Sequence, residues 1–337
     1  MIERILKYSV ERRHWVVALT LVAALFGAWS LSQLPIDAVP DITNKQVQIN
    51  VEHPAFSTTD IERLVTFPLE TALAGIPGLE HTRSISRNGF CQVTAVFDDA
   101  VDIYFARQQI NERLTAARES LPSGIKPRMG PITTGLGEVL MWAVEFEAQA
   151  LGQAGGFVTP GGERLTNDVQ RLAFLRTVQD WIIRPQIKTV PLVADVDAIG
   201  GYVKQYHVLP RLGQLSAHGL TLNDLVAALE RNNLSLGAGY IERDGSATLV
   251  RASSRLDGSA AIADVVVKQS NGTPIRVGDV AEVALGGEMR LGSASINGHE
   301  AVIGTAMMLT GANSRAVAKA AAEQLTEVKR SLPPGIT

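Results

Sequence analysis

Apolar residues fall in three patterns along this chain, and the first is an unbroken run. Residues 15–34 read WVVALTLVAALFGAWSLSQL and hold no charge. A helix of about 20 residues, rising ~1.5 Å per residue, spans roughly 30 Å, the hydrocarbon thickness of a bilayer. Arg4, Lys7, Arg12 and Arg13 precede the run, and Asp37 and Asp41 follow it. Positive charge stays on the cytoplasmic side, so the pattern predicts a transmembrane helix with its N-terminus inside and the remainder outside. A soluble helix would show a polar face, and only Thr20, Ser30, Ser32 and Gln33 are polar here. The rival reading is a cleaved signal peptide, with Ala28-Trp29-Ser30 as a weak cleavage site. Against it, the run exceeds the usual ~7–15 residues and the leader carries Glu3 and Glu11.

The second pattern is alternation and the third is helical spacing. In residues 46–52, Val47, Ile49 and Val51 share one face of a predicted strand. Ser57 with Asp60 three residues on is a helix-start signal, and that helix should run to about Ala74, before Gly75 and Pro77. Residues 80–87 and 91–98 form a predicted hairpin across Asn88-Gly89. A second helix should cover about 101–120, with a strand after it. The order is β-α-β-β-α-β, a split βαβ of ferredoxin-like type.

These elements recur. Ile76-Pro77-Gly78-Leu79, then Thr82 and Ile85, is matched by Val190-Pro191-Leu192-Val193, then Val196 and Ile199. SISRNG at 84–89 is matched by SASING at 293–298, and LPSGI at 121–125 by LPPGI at 332–336. Each LPxGI follows an amphipathic helix, at 106–120 and at 315–331. Four features in one order indicate a duplicated unit. Pro77 and Pro191 lie 114 positions apart, while Asn88 and Asn297 lie 209 apart. The second copy therefore carries about 95 extra residues between Ile199 and Asn297. It begins with a predicted strand at 138–147, a Gly-rich loop at 152–162 and a helix at 167–183. It ends at Thr337 directly after LPPGI, so its closing strand is expected to be missing and the chain to be the N-terminal part of a longer protein. The insertion predicts a helix at 221–232, capped by Thr221 or Asn223, and a long hairpin of 237–243 and 246–251 across Asp244-Gly245. Such a hairpin is marginal alone. It reads as a solvated excursion or as an arm packing on a neighbouring subunit, and the arm is favoured.

Composition narrows the function. The chain has 337 residues, 46% hydrophobic and 19% charged, enough for two or three domains with real cores. Its net charge of -3, with both signs interspersed, gives no basic patch for nucleic acid. Cys91 is the sole cysteine, which excludes an internal disulfide and a Cys-based zinc or redox pair. No two of the six histidines have metal-motif spacing, and His53 and His81 read as surface or hairpin residues. No nucleophile–base pair and no phosphate-binding loop is legible, so an enzyme is not expected.

LPIDAVPDITN at 34–44, GPITTGLGE at 130–138, QDW at 179–181, GAGYIER at 237–243 and NSR at 313–315 resemble the heavy-metal efflux branch of the resistance–nodulation–division (RND) transporters, with the cobalt–zinc–cadmium type nearest. The likeness covers essentially the whole chain. It implies an α+β fold: one transmembrane helix, then two ferredoxin-like βαββαβ porter subdomains, the second interrupted by a docking insertion with a long β-hairpin. The implied division is 1–36 (cytoplasmic N-terminus and membrane helix), 37–135 (first porter subdomain), 136–200 (second, first part), 201–291 (docking insertion) and 292–337 (second porter subdomain, truncated). It further implies a bacterial inner-membrane location with residues after about 36 periplasmic. Other implications are a homotrimer joined through the hairpin, a periplasmic adaptor, an outer-membrane channel, contact with membrane lipid, and no cofactor beyond the transported metal ion. Such pumps run on protons carried by carboxylates in later membrane helices, which this chain lacks, so it is not expected to transport alone. The alternative is a membrane-anchored periplasmic adaptor or binding module without transport.

Zinc, cobalt and cadmium take carboxylate and imidazole ligands, whereas copper(I) and silver prefer sulfur. Glu138 should share a strand face with Leu140, Trp142, Val144 and Phe146, where an acid is costly without a partner. The resemblance makes Glu138 a substrate ligand and Asp180 a second carboxylate of the same site. For Asp180 a plain ion pair with Arg176, one turn earlier, is the favoured reading. Met289 resembles a position in the methionine relay of copper-type relatives, although the methionines otherwise read as core filler.

Overall fold

The computed structural model describes residues 8–32, 43–147, 150, 156–243, 246–253, 256–270, 272–290 and 292–337. The N-terminal apolar run is helix α1, Arg13–Ser32. Its segment Arg13–Leu31 is long and apolar enough to cross a membrane, and none of it is buried. Trp15 and Trp29 stand exposed near its two ends, where amphipathic rings favour the membrane–water interface. The motif at 34–44 lies mostly outside the described residues.

The chain divides into two compact units. One holds residues 1–140, 187–196 and 305–324, and the other 141–186, 197–304 and 325–337. In the first unit, strand β1 (Lys45–Glu52) leads into helix α2 (58–73), then β2 (Leu79–Arg87), β3 (Phe90–Phe97), α3 (Ile103–Ala117) and β4 (Arg128–Met129). The sheet order is β2-β3-β1-β4. Val47, Ile49 and Val51 point into the core with at most 1% exposure, against Ile61, Leu69, Leu73 and Ile110 from the helices. The strand expected after residue 120 is two residues long, paired with Ile49 and Asn50. Ser57 caps α2 in a reciprocal capping box with Asp60, and Asp102 caps α3 by accepting from the N–H groups of Tyr104 and Phe105.

Helix α2 is not uniform. It runs as Thr58–Ile61, a π turn over Glu62–Thr66, and Phe67–Leu73. The second copy repeats this. Helix α4 runs as Asp168–Val178, a π turn over Gln179–Ile183, and Arg184–Ile187. Each π turn ends two residues before a proline, Pro68 and Pro185. A proline inside a helix has no N–H to give and its ring crowds the carbonyl four residues back. Widening the preceding turn relieves both defects, and π turns of this kind recur at functional sites.

The rest of the second copy follows the first. Strand β5 (Glu138–Val144) precedes a small hairpin, β6 (Phe157–Val158) and β7 (Arg164–Leu165), and then α4, whose N-cap is Asn167. The Gly-rich loop lies partly outside the described residues. After α4 comes β8 (Val193–Ile199). Strand β16 (His299–Met308) pairs with β5, with β8 and with β15 (Ala294–Ile296). Asn297 and Gly298 join β15 to β16 with φ of 51° and 83°, the left-handed pair a two-residue hairpin turn demands. One expectation needs correction: the closing strand is not wholly missing. Glu145 and Thr337 exchange two backbone hydrogen bonds of 2.9 Å, and the Glu147 N–H donates to the Gly335 carbonyl. The final residues already sit in strand pairing, because LPPGI turns the chain back beside β5.

Between β8 and β15 lies the insertion. Strands β9 (Lys204–Pro210) and β14 (Ala281–Gly287) pair along seven positions. Leu215, Leu225, Val265, Val277 and Val280 build a separate core beside them. Thr221 caps the helix Leu222–Asn232 through a capping box with Asp224. Strands β10 (Ser235–Arg243) and β11 (Ser246–Ser253) form the long hairpin, with an irregularity between Gly237 and Tyr240. Its turn at Asp244-Gly245 lies outside the described residues, and β12 (Val266–Ser270) and β13 (Thr273–Arg276) follow as a shorter antiparallel pair.

Candidate functional site

Glu138 opens β5 and is exposed. The buried-acid argument therefore does not apply to it, since its carboxylate is hydrated without a partner. The same strand carries Trp142, 9% exposed, whose indole N–H donates to Gln179 Oε1 at 2.8 Å. Gln179 is fully buried at the head of the second π turn. A buried donor and acceptor satisfied by each other make a firm tie, and this one anchors the turn that presents Asp180.

Asp180 is held by two arginines. Arg176 Nε donates to Oδ2 at 2.7 Å, and Arg176 Nη1 donates to the Gly200 carbonyl at 3.0 Å. Arg184 Nη1 stands 3.6 Å from Oδ1 and its Nη2 stands 3.8 Å from Asp197. Oδ1 is buried and accepts no hydrogen bond. The pair with Arg176 is thus as the helical spacing foretold. Arg184 was missed, although it stands one turn later at the same spacing. Trp181, the next residue, is 79% exposed.

Met289 is also 79% exposed. Its neighbour Arg290 is fixed, lying 4.5 Å from the Tyr202 ring centroid and ion-paired with Glu300. Among the described residues no group of three or more His, Cys, Asp or Glu side chains is placed to hold a metal. A cavity of about 520 Å³ in the first unit is lined by apolar side chains such as Ile103, Ile132 and Leu309 together with Lys45, Thr133, Thr310 and Asn313, and none of the three candidates lines it. His53 is half-buried against Phe56, 4.0 Å between ring centroids, and His81 is exposed on β2. Cys91 is buried and receives a hydrogen bond from Thr66, and burial pushes its thiol pKa up from the ordinary 9.0.

The sequence matches the family described as AcrB/AcrD/AcrF over residues 5–337. The chain belongs to the AcrB/AcrD/AcrF family. Within it, the chain is 51% identical over 348 residues to the nickel and cobalt resistance protein CnrA of Cupriavidus metallidurans, covering 100% of this chain and 32% of CnrA. It is 46% identical over 337 residues to the cobalt-zinc-cadmium resistance protein CzcA of the same organism, covering 30% of CzcA. To the cation efflux system protein CusA of Escherichia coli K12 it is 35% identical. A crystal structure of a heavy metal efflux pump matches 97% of this chain with TM-score 0.80 at 25% identity, over 31% of the solved chain. A second crystal form, at 24% identity and TM-score 0.83, supports the fold alone. This AcrB/AcrD/AcrF chain spans about a third of the length of these relatives, and the likeness to RND heavy-metal efflux proteins read from its motifs stands.

Proposed function

We propose that this chain is the membrane-anchored, N-terminal porter portion of an inner-membrane pump that exports divalent heavy-metal cations in exchange for protons. The observation that carries it is the 51% identity along the whole chain to a protein named for nickel and cobalt resistance. Helix α1 would anchor the chain with residues after about 36 in the periplasm. The two βαββαβ repeats would be ferredoxin-like porter subdomains, and the insertion of 201–291 a docking subdomain. The β10–β11 hairpin would be the arm that joins a homotrimer, which works with a periplasmic adaptor and an outer-membrane channel.

Within this portion, Glu138 and Asp180 are the proposed metal ligands, because zinc, cobalt and cadmium accept carboxylate ligands whereas copper(I) and silver prefer sulfur. Met289 is the proposed contact for softer ions. The test is metal tolerance. The gene, read on past codon 337, is expressed in a metal-sensitive host as wild type and as Glu138→Ala. Wild type should raise tolerance to zinc, cobalt or cadmium, and the variant should lose most of that gain at equal expression. Equal tolerance in a stably expressed variant removes Glu138 from the site.

A further inference from the structure

Asp180 does not stand as an open ligand. Its two oxygens are treated differently by their surroundings. Oδ2 is engaged by Arg176, which is itself fixed by its second bond to the Gly200 carbonyl. That pair orients the carboxylate. Oδ1 is buried with no hydrogen bond, and Arg184 covers it from 3.6 Å, beyond hydrogen-bond reach. A buried carboxylate oxygen left without a donor is rare and calls for a partner. Arg184 also leans toward Asp197 at 3.8 Å, and the Asp197 side chain is 63% exposed. One guanidinium thus stands between the two carboxylates, and the Asp197 Oδ1 it faces accepts from the Ala198 N–H at 2.8 Å.

We infer that Arg184 is a displaceable counter-ion that sets the metal affinity of Asp180, with Asp197 as the place it moves to. This rests on the reading of Asp180 as a metal ligand. A divalent cation reaching Oδ1 supplies the missing partner and repels the guanidinium, which closes its gap to Asp197. Arg176 stays on Oδ2 and keeps the carboxylate aimed. On release Arg184 returns, so Asp180 never faces the low-dielectric surroundings as a bare charge. A site that passes its ion on must bind it only moderately, and a resident counter-ion provides that.

The test is equilibrium dialysis of the full chain in detergent micelles against cobalt(II) chloride, with circular dichroism as the check of folding. Arg184→Gln should bind cobalt about fivefold more tightly, the size of one partly exposed ion pair. Arg184→Lys should stay near wild type. Asp197→Asn should weaken binding about threefold, and that loss should vanish in the Arg184→Gln background, because the pair acts as a unit. If Asp180→Asn loses cobalt while Arg184→Gln binds no more tightly than wild type, the counter-ion role is overturned and Asp180 stands as a ligand. If Asp180→Asn binds cobalt like wild type, or wild type binds none, the ligand reading itself falls and takes the inference with it.

Discussion

Replacing Gly304 by Ala tests the tie that holds the Asp180 turn. Gly304 lies on β16 beneath the Trp142 indole. A Cβ there would meet Cε2 at 2.4 Å and Cζ2 and Nε1 at 2.5 Å. The indole cannot yield freely, because its N–H is bonded to buried Gln179 at 2.8 Å. Overpacking costs about 1–3 kcal/mol. Losing a buried hydrogen bond costs about 1–3 kcal/mol more. Ala recovers about 0.5–1 kcal/mol of backbone entropy relative to Gly in a strand. The net expectation is a loss of about 1–5 kcal/mol. Denaturant unfolding of the chain in detergent, followed by tryptophan fluorescence, measures it. In a Trp142→Leu background the same change should cost less than about 1 kcal/mol, since the clash is gone. A loss within about 0.5 kcal/mol of wild type, or an equal loss in both backgrounds, would refute the packing argument.

Other outcomes follow from the same structure. Gly78→Ala should destabilise by about 2–4 kcal/mol, since φ is +75° and a Cβ would lie 2.3 Å from Val101 Cγ2; unfolding midpoints report it. Its counterpart Leu192 holds φ of 67° although half-exposed, so Leu192→Gly should raise stability by about 0.5–1 kcal/mol in the same assay. Asp102→Ala should cost about 1 kcal/mol through loss of its two capping bonds. Cys91, with its folded pKa raised, contributes stability that is present below pH ~9 and lost as pH rises past that value. A Cys91→Ala variant should lack that alkaline loss, and iodoacetamide should label wild type at pH 8 only after denaturation.

The order of elements was legible because period and punctuation agreed. Val47, Ile49 and Val51 alternate, and Asn297-Gly298 supplies the left-handed turn. The π turns were not legible, because hydrophobic spacing alone does not distinguish a widened turn. The signal that could have found them is the proline at matching places, Pro68 and Pro185. Glu138 was expected to need a partner beside an apolar strand face; it is exposed, because apolar neighbours along a strand do not say where the strand emerges into solvent. For Asp180 the sequence offered arginines at helical spacing on both sides, Arg176 and Arg184, and only the first was read; the fold added the Gly200 carbonyl that fixes Arg176. The shared strand of Glu138 and Trp142 was readable, but the bond from Trp142 to Gln179 depends on a contact 37 residues away.

The central proposal is that Glu138 and Asp180 each serve as a ligand to the divalent metal ion that the full-length pump exports. Cobalt retained by cells that express the full-length pump tests it most directly. Wild type should lower retained cobalt well below the empty-vector level, and the Glu138→Ala/Asp180→Asn pump, present at equal amount in the membrane, should leave it at that level. Equal clearance by the two pumps would contradict the account.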